Sequence, residues 1–425
     1  MLNADLINIE PRRRRIFCDV TVISVNDKKS GIERVIREII GRIVIDCGVE
    51  YQVFLVSIRE GEVVFVENNF FEFFVERNKP GERINACEGD IYLVLDWAPD
   101  RFCEAGDWLQ EFRRSGGKVC VVVYDLIPLE FPAYFPDWLR HIVSDWIDAI
   151  LVHADYVACI SRTVADTFAQ LAERRMVPRA DPITLSWFHL GSNASATEPT
   201  TDEPSDAAAI LTMLEQRPYF IVVGTVEPRK GHQQLLAGFD LLWKRDIDVG
   251  LLIVGRQGWM VEAVSNAIRD NPEFGKRLLW LTGAGDTFVS ALFNKAAALI
   301  APSRAEGFGL PLIEAAEHGL PVIARDIPVF REVAGAHALY FQGETASTIA
   351  DAVVACLEAR ADGTMPSSTG MPRIDWAGSA RQLIDIFTGR RRYLTSTAGY
   401  PVRTHPEASR EGGIDDAPID CRQAS

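Results

Sequence analysis

The chain reads as an α/β protein made of two doubly wound domains, and three observations carry that reading. Short apolar segments rich in Val, Ile and Leu alternate with amphipathic segments of helical period, the pattern of a parallel sheet covered by helices on both faces. The alternation stops once, at the Ser-, Thr-, Pro- and acid-rich stretch 192–209, and then restarts. The length of 425 residues exceeds what one ordinary hydrophobic core organises, so two units of roughly 150–200 residues are expected.

In the first unit, 1–191, "RIFCDVTVIS" (15–24) reads as a strand. In "SGIERVIREIIGRI" (30–43), Ile32, Val35, Ile36, Ile39, Ile40 and Ile43 fall on one face of a helix that Ser30 is suited to cap. Strands follow at 50–58, 90–97, 118–126 and 155–161, with helices at 134–154 and 163–175. The stretch 192–209 has almost nothing to bury and reads as a linker or exposed loop. The second unit, 210–373, has strands at 218–225, 249–255, 277–283, 297–303, 321–325 and 338–341. Helices at 231–244, 259–269, 286–295 and 309–318 separate them. One more amphipathic helix occupies 374–392, and 393–425 reads as a polar, mostly disordered tail.

With 48% hydrophobic and 24% charged residues the composition is that of a soluble globular protein, and no run approaches the roughly 18 apolar residues of a membrane span. The N-terminal stretch lacks the composition of a secretory leader, so a cytoplasmic chain is expected. The eight cysteines form no CxxC or paired metal spacing and are read as reduced. A net charge of −15, from 44 basic and 59 acidic residues, excludes a nucleic-acid binder, which meets phosphates with a basic surface. The local run Arg12 to Arg15 is either a solvated arm or a contact with anionic head groups at the inner membrane.

Doubly wound domains bind ligands in the crevice outside the carboxyl ends of their strands, so candidate residues lie just after strands. The most informative stretch is "PSRAEGFGLPLIEAAEHG", where Glu306 and Glu314 flank a glycine-punctuated helix start. Free N–H groups and the positive end of the helix dipole make such a start a seat for a diphosphate, and Gly307, Phe308, Gly309 and Leu310 form its approach. The two carboxylates are suited to accept hydroxyls of a sugar and of a ribose. In "GTVEPRKGH" (224–232), Arg229 and Lys230 are placed to stabilise a departing nucleoside diphosphate, with Thr225 just ahead of them. In "NDKKSGIERV" (26–35), Gly31 permits close approach and Arg34 is within reach of the cleft. Asp125, after the strand in "VYDLIPLEFPAYF", either contacts an acceptor hydroxyl or caps its own turn. Gly283, in "TGAGDT", belongs on physical grounds to a helix-capping turn, while His153 and Asp155 read as satisfying local backbone groups. The "DID" at 246–248 precedes a buried strand, so no metal-binding DxD loop is expected.

"EGFGLPLIE" resembles the E-x7-E motif of the retaining GT-B glycosyltransferases of family 4, the glycosyl transferases group 1, and "GLPVIARDIPVFREVAG" continues in that style. The resemblance spans nearly the whole second unit, from "FIVVGTVEPRKGHQQLL" to the "DWAGSARQL" helix. It implies a GT-B architecture, two Rossmann-like domains facing across a cleft, with the first domain on the acceptor side and the second binding a nucleotide-sugar. It further implies that Glu314 binds the ribose, Glu306 contacts the donor sugar, Lys230 meets the diphosphate and the segment at Gly283 meets the nucleobase. The family's usual phosphate arginine is replaced by Thr225, with Arg229 the candidate substitute, and Tyr124 replaces the histidine of a common His-Asp pair. The activity the resemblance implies is metal-independent, retaining sugar transfer, of mannose from GDP-mannose, to a saccharide or lipid-linked saccharide of bacterial surface polysaccharide. A nucleotide-sugar 2-epimerase of the same architecture and a non-catalytic saccharide-binding protein are the alternatives. A dehydrogenase is disfavoured because neither unit opens with GxGxxG after its first strand.

Overall fold

The structure, a computed structural model, describes residues 13–27, 31–47, 50–67, 71, 76, 78–175, 177, 179, 181–192, 203–397 and 400–403. Arg12, Ser30, residues 193–202 of the expected linker and 404–425 of the tail lie outside the described residues.

The first unit alternates as expected. β1 (Arg14–Asp19) leads to α1 (Gly31–Cys47), then to the hairpin β2 (Tyr51–Arg59) and β3 (Glu62–Phe65) and to β4 (Ile91–Val94). Two helices, α2 (Pro99–Glu104) and α3 (Gly106–Arg114), precede β5 (Lys118–Val123). After α4 (Ile127–Glu130) and α5 (Asp137–His153) come β6 (Tyr156–Cys159), α6 (Arg162–Arg175) and β7 (Ile183–Trp187). The second unit runs α7 (Ala207–Gln216), β8 (Tyr219–Val223), α8 (His232–Lys244), β9 (Gly250–Val254), α9 (Glu262–Arg269), β10 (Leu278–Leu281) and α10 (Asp286–Lys295). It continues through β11 (Ala298–Ala301), α11 (Leu310–Glu317), β12 (Val322–Arg325), α12 (Pro328–Ala334), β13 (Leu339–Phe341) and α13 (Ala346–Ala361). α14 (Trp376–Phe387) and two strands, β14 (Leu394–Thr397) and β15 (Tyr400–Arg403), close the described chain.

The second sheet has the order β10-β9-β8-β11-β12-β13 and is parallel throughout; its strand order reverses between β8 and β11. The first sheet, β15-β14-β7-β6-β5-β4-β1-β2-β3, reverses between β1 and β4 and carries antiparallel strands at both edges. Each reversal opens a crevice at the carboxyl ends of its strands, where a ligand can enter between diverging loops. Both sheets are buried on their faces, which explains the nearly continuous apolar strands such as "KVCVVV" and "GLLIV".

The tail corrects an expectation. Residues 394–397 and 400–403, read as part of a disordered tail, add β14 antiparallel to β7 and β15 beyond it, because the edge of β7 offers free backbone groups that a short polar strand can satisfy. α14 likewise packs back onto α1, with Trp376 fully buried, so the chain returns to the first unit. The expected linker is also shorter at its end, since Ala207 already begins α7.

Several strands stop earlier than their apolar runs. β1 ends at Asp19 although "VTVIS" follows, and β4 ends at Val94 although "LDW" follows. The reason is a pair of buried carboxylates. Asp96 accepts the N–H groups of Val22 at 2.5 Å, Ile23 at 2.8 Å and Trp97 at 2.8 Å, while Asp19 accepts Thr21 N–H at 2.8 Å and the Tyr92 hydroxyl at 2.6 Å. These bonds turn the chain out of the strand. Burial first, then the nearby Asp19 charge, push the Asp96 carboxyl up to about 7 from its ordinary 3.8. A carboxyl raised on folding stabilises the fold below its unfolded pKa, and that contribution is lost as pH rises through about 7. The melting midpoint is therefore expected to fall between about pH 4 and pH 8, and Asp96→Asn to flatten that limb in thermal melts across the range. A variant profile as steep as the wild type would count against Asp96 as its source.

No described helix is long and apolar enough to cross a membrane. The seven described cysteines are free thiols.

Candidate active site

The two strands flanking the reversal in the second sheet deliver the central residues. After β8 the chain passes Gly224 and Thr225 and tightens into a single 3-10 turn, Pro228–Lys230, which Gly231 ends in the left-handed conformation at φ 75°. After β11 the loop 302–309 leads to α11, whose start is set by Gly309 at φ 106° and by Pro311 in the first turn. A side chain at Gly231 would lie 2.5 Å from the Pro302 carbonyl oxygen, so the two loops touch through that glycine.

Their contact brings opposite charges together. Glu306 accepts from Lys230 Nζ at 2.5 Å and from Arg229 Nη1 at 2.9 Å, and Arg229 also reaches Glu227 at 3.0 Å and the Ala305 carbonyl at 2.9 Å. Burial alone would raise the Glu306 carboxyl, but Lys230 first and Arg229 second overcome it, and the group is held down at about 2. Glu306 is therefore an anion throughout the physiological range, wedged between two cations. The Glu227 carboxyl moves the other way: burial raises it against the pull of Arg229 and Lys230.

Asp125 joins this cluster from the first unit. It lies just past β5, and its carboxylate accepts the Ile127 N–H at 3.2 Å, which starts α4. Burial raises its pKa, opposed by the charge of Arg229. Of its two readings from the sequence, the structure shows the turn cap, and the carboxylate also shares the electrostatic field of Arg229, Lys230 and Glu306. Tyr124, in the place of a histidine, turns into the core and donates to the Leu95 carbonyl at 2.7 Å.

Glu314, one turn into α11, pairs with Arg34 of α1 across the cleft. A Cβ on Gly31 would lie 3.9 Å from the Leu310 methyl, so the starts of α1 and α11 face each other. Thr225 packs near Gly258, and Gly283 opens on free space at the end of β10. Phe308 is 4% exposed and packs against the His189 ring at 5.4 Å, so its side chain belongs to the contact between units. His153 and Asp155 stay outside the cluster; Asp155 accepts Val119 N–H at 3.0 Å and pairs with Arg113 and Lys118.

The units are also tied directly. The Ser161 hydroxyl donates to the Gly307 carbonyl at 2.8 Å, and the Trp259 indole N–H donates to the Tyr134 carbonyl at 3.1 Å. Glu332 of α12 accepts the N–H groups of Arg162 at 2.7 Å and Thr163 at 2.8 Å, capping α6 from the other unit, and meets His189 at 2.9 Å. Glu332→Ala leaves those part-buried donors without their cap and is expected to destabilise the fold by about 1–3 kcal/mol, read by chemical denaturation. Sequence reading passed over Glu332 because its partners lie 143 and 170 positions away. Glu227 carried a visible signal, a carboxylate two residues ahead of Arg229 in the same loop.

Residues 207–366, which include Arg229, Lys230, Glu306 and Glu314, match the family model described as glycosyl transferases group 1. The chain carries a glycosyl transferases group 1 domain. It is 37% identical over 374 residues to the serotype-specific mannosyltransferase WbdA of Escherichia coli, covering 87% of this chain and 46% of that protein. It is 30% identical over 222 residues to the O-antigen chain mannosyltransferase RfbU of Salmonella typhimurium, covering 52% of this chain and 55% of the relative. The chain thus spans about half the length of these curated relatives. Among solved structures, Anabaena HepE in complex with UDP-glucose superposes with a TM-score of 0.60 at 14% identity, covering 88% of this chain and 99% of that one. Sucrose-phosphate synthase from Thermosynechococcus elongatus gives 0.59 at 16% identity, over 88% and 95%. The group 1 domain and its partner unit therefore adopt the two-domain GT-B architecture.

Proposed function

We propose that the chain is a retaining, metal-independent mannosyltransferase. It takes mannose from GDP-mannose and passes it to a saccharide acceptor, lipid-linked, in bacterial surface polysaccharide synthesis at the cytoplasmic face of the inner membrane. The observation that carries this reading is the anionic Glu306 held between Lys230 and Arg229 at the mouth of α11, facing Asp125 of the other unit. The names of the mannosyltransferase relatives support the choice of sugar.

In this reading the diphosphate of the donor lies on the α11 N-terminus, where backbone N–H groups and the helix dipole meet it. Lys230 and Arg229 stabilise the charge that develops on the leaving diphosphate. Glu306, already ionised, accepts hydroxyls of the donor sugar and fixes its orientation, while Glu314 exchanges Arg34 for the ribose diol. Asp125 orients the acceptor hydroxyl, which enters on the face the nucleotide leaves; its oxygen bonds to the anomeric carbon as the bond from that carbon to the diphosphate oxygen breaks, and its proton passes to the leaving diphosphate oxygen. Contact between the units excludes water, so that hydrolysis does not compete.

The test begins with melting of the protein against GDP, UDP, ADP and dTDP, since a ligand that binds only the folded state raises the midpoint by mass action. A shift with GDP alone, reduced in Glu314→Ala, is expected. Transfer from GDP-mannose is then followed by NMR of the product, which should keep the α-configuration. An inverted product would overturn the retaining mechanism. Donor turnover to its 2-epimer without acceptor would replace the reading with the epimerase, and no shift in folded protein would leave a non-catalytic binding protein.

A further inference from the structure

Beyond the reaction centre, on the other side of the β11 loop, a second cavity of about 280 Å³ opens at the carboxyl ends of β12 and β13. One wall is Phe131 and Tyr134, from the same β5–α5 connection that supplies Asp125. The other is Arg304, Arg325, Gln342 and Glu344 of the group 1 domain. The cavity adjoins the reacting cluster. Arg304 lies two residues before Glu306 and donates its N–H to the Arg229 carbonyl at 2.8 Å, and a small apolar contact of Ala305 with Ile127 and Phe135 stands between.

We propose that this cavity is a distal subsite for the acceptor, binding a sugar ring behind the growing end of the saccharide; the identity of its ligand rests on the glycosyl-transfer reading above. Its chemistry favours a neutral polyhydroxyl ligand. Two arginines on the lining face two carboxylates, Asp326 and Glu344, so their formal charges cancel. Arg304 Nε meets Glu344 at 2.6 Å, Arg325 meets the other oxygen of Glu344 at 3.0 Å, and the Gln342 amide meets Asp326 at 2.9 Å. Guanidinium, carboxylate and carboxamide planes held by one another present paired donors and acceptors, which suit vicinal hydroxyls. Arg325 is anchored from behind by the Pro302 carbonyl at 3.0 Å and by Gln234, so this wall is preformed.

The opposite wall supplies the apolar half. Phe131 and Tyr134 stack with ring centroids 6.2 Å apart and planes 15° apart, and Phe131 is 38% exposed. A flat aromatic surface beside polar planes matches a pyranose, which has an apolar C–H face and a hydroxyl rim. The volume lies near the lower end of the roughly 300–1,000 Å³ typical of ligand sites, which suits a sugar ring rather than a whole nucleotide-sugar. Because one loop carries both Asp125 and Phe131, a saccharide in this cavity would hold its next unit toward the reaction centre.

The experiment is isothermal titration of the full chain with methyl α-mannoside and with an α-linked mannotetraoside. The wild type is expected to bind the tetraoside at least tenfold more tightly than the monosaccharide. Phe131→Ala and Gln342→Ala should each weaken tetraoside binding by about tenfold, with GDP affinity as the check that the fold is intact. Equal affinity for the two saccharides, or variants that bind the tetraoside as the wild type does, would overturn the subsite, as would pyrophosphate binding there in place of the saccharide. GDP-mannose turnover is assayed in parallel. Saccharide binding with no transfer would uphold the subsite while refuting the mannosyltransferase reading, and transfer with no length-dependent binding would do the reverse.

Discussion

Lys230→Ala is expected to lower kcat by roughly 10²–10³-fold, the usual effect of removing one preorganised donor from developing negative charge. If the donor lies as proposed, its KM should move only a few-fold, because the helix dipole and the backbone N–H groups of α11 would still hold the diphosphate. A second consequence separates loss of this cation from general damage. Lys230 is the foremost partner that keeps the buried Glu306 carboxyl down at about 2. Without it, Arg229 and Ser303 are left to oppose burial and the Glu306 pKa rises, so the acid limb of the kcat profile should shift to higher pH. The same group affects stability. A carboxyl depressed on folding contributes stability above its unfolded value near 4.5 and loses it as pH falls through about 2. The variant should lose part of that contribution at neutral pH. Lys230→Ala with unchanged turnover and an unchanged acid limb would remove Lys230 from the diphosphate site.

Gly307→Ala is the second substitution with a large expected consequence, and its cause is steric. A Cβ on Gly307 would lie 2.1 Å from the Tyr124 carbonyl oxygen and 3.3 Å from the Asp125 Cβ. Backbone meets backbone there, so no side chain can move aside. The methyl must push the Glu306 loop away from the Asp125 loop and weaken the Ser161 bond to the Gly307 carbonyl. A displacement of about 1 Å between reacting groups can cost about 10²-fold in rate, so transfer should fall at least that far while each sheet stays folded. Small-angle scattering should show a more open chain, and circular dichroism an unchanged secondary structure. Full activity would mean that the contact between Gly307 and Tyr124 is not part of the reacting arrangement.

The parts of this protein that were readable in one dimension are those set by local period and local backbone chemistry. Apolar runs such as "YFIVV" and "GLLIV" must be strands covered on both sides, and the stripe in "IERVIREII" must be a helix facing a sheet. The glycine-framed acids Glu306 and Glu314 were visible for the same reason, since a helix start with Gly309 and Pro311 has a fixed local geometry. Where elements end was less readable. Asp19 and Asp96 stop their strands by binding backbone N–H groups, and in Asp96's case the groups at Val22 and Ile23 are 74 and 73 positions away. Apolar periodicity carries no record of such a bond.

By itself the sequence determined two doubly wound units and the glycine-framed loops after their strands that carry Arg229, Lys230, Glu306 and Glu314, because each follows from neighbours a few positions apart. The tertiary structure alone decided that Lys230 and Glu306, 76 positions apart, share a hydrogen bond, and that Glu332 of one unit caps a helix of the other. It also decided that Phe308 packs against His189 of the other unit, and that residues 394–397 and 400–403 extend the first sheet. The physical reason is common to all of these. Burial of an apolar face is a property of a segment, whereas the partner of a charge, a helix end or a strand edge is set by which elements the packed sheets bring alongside it.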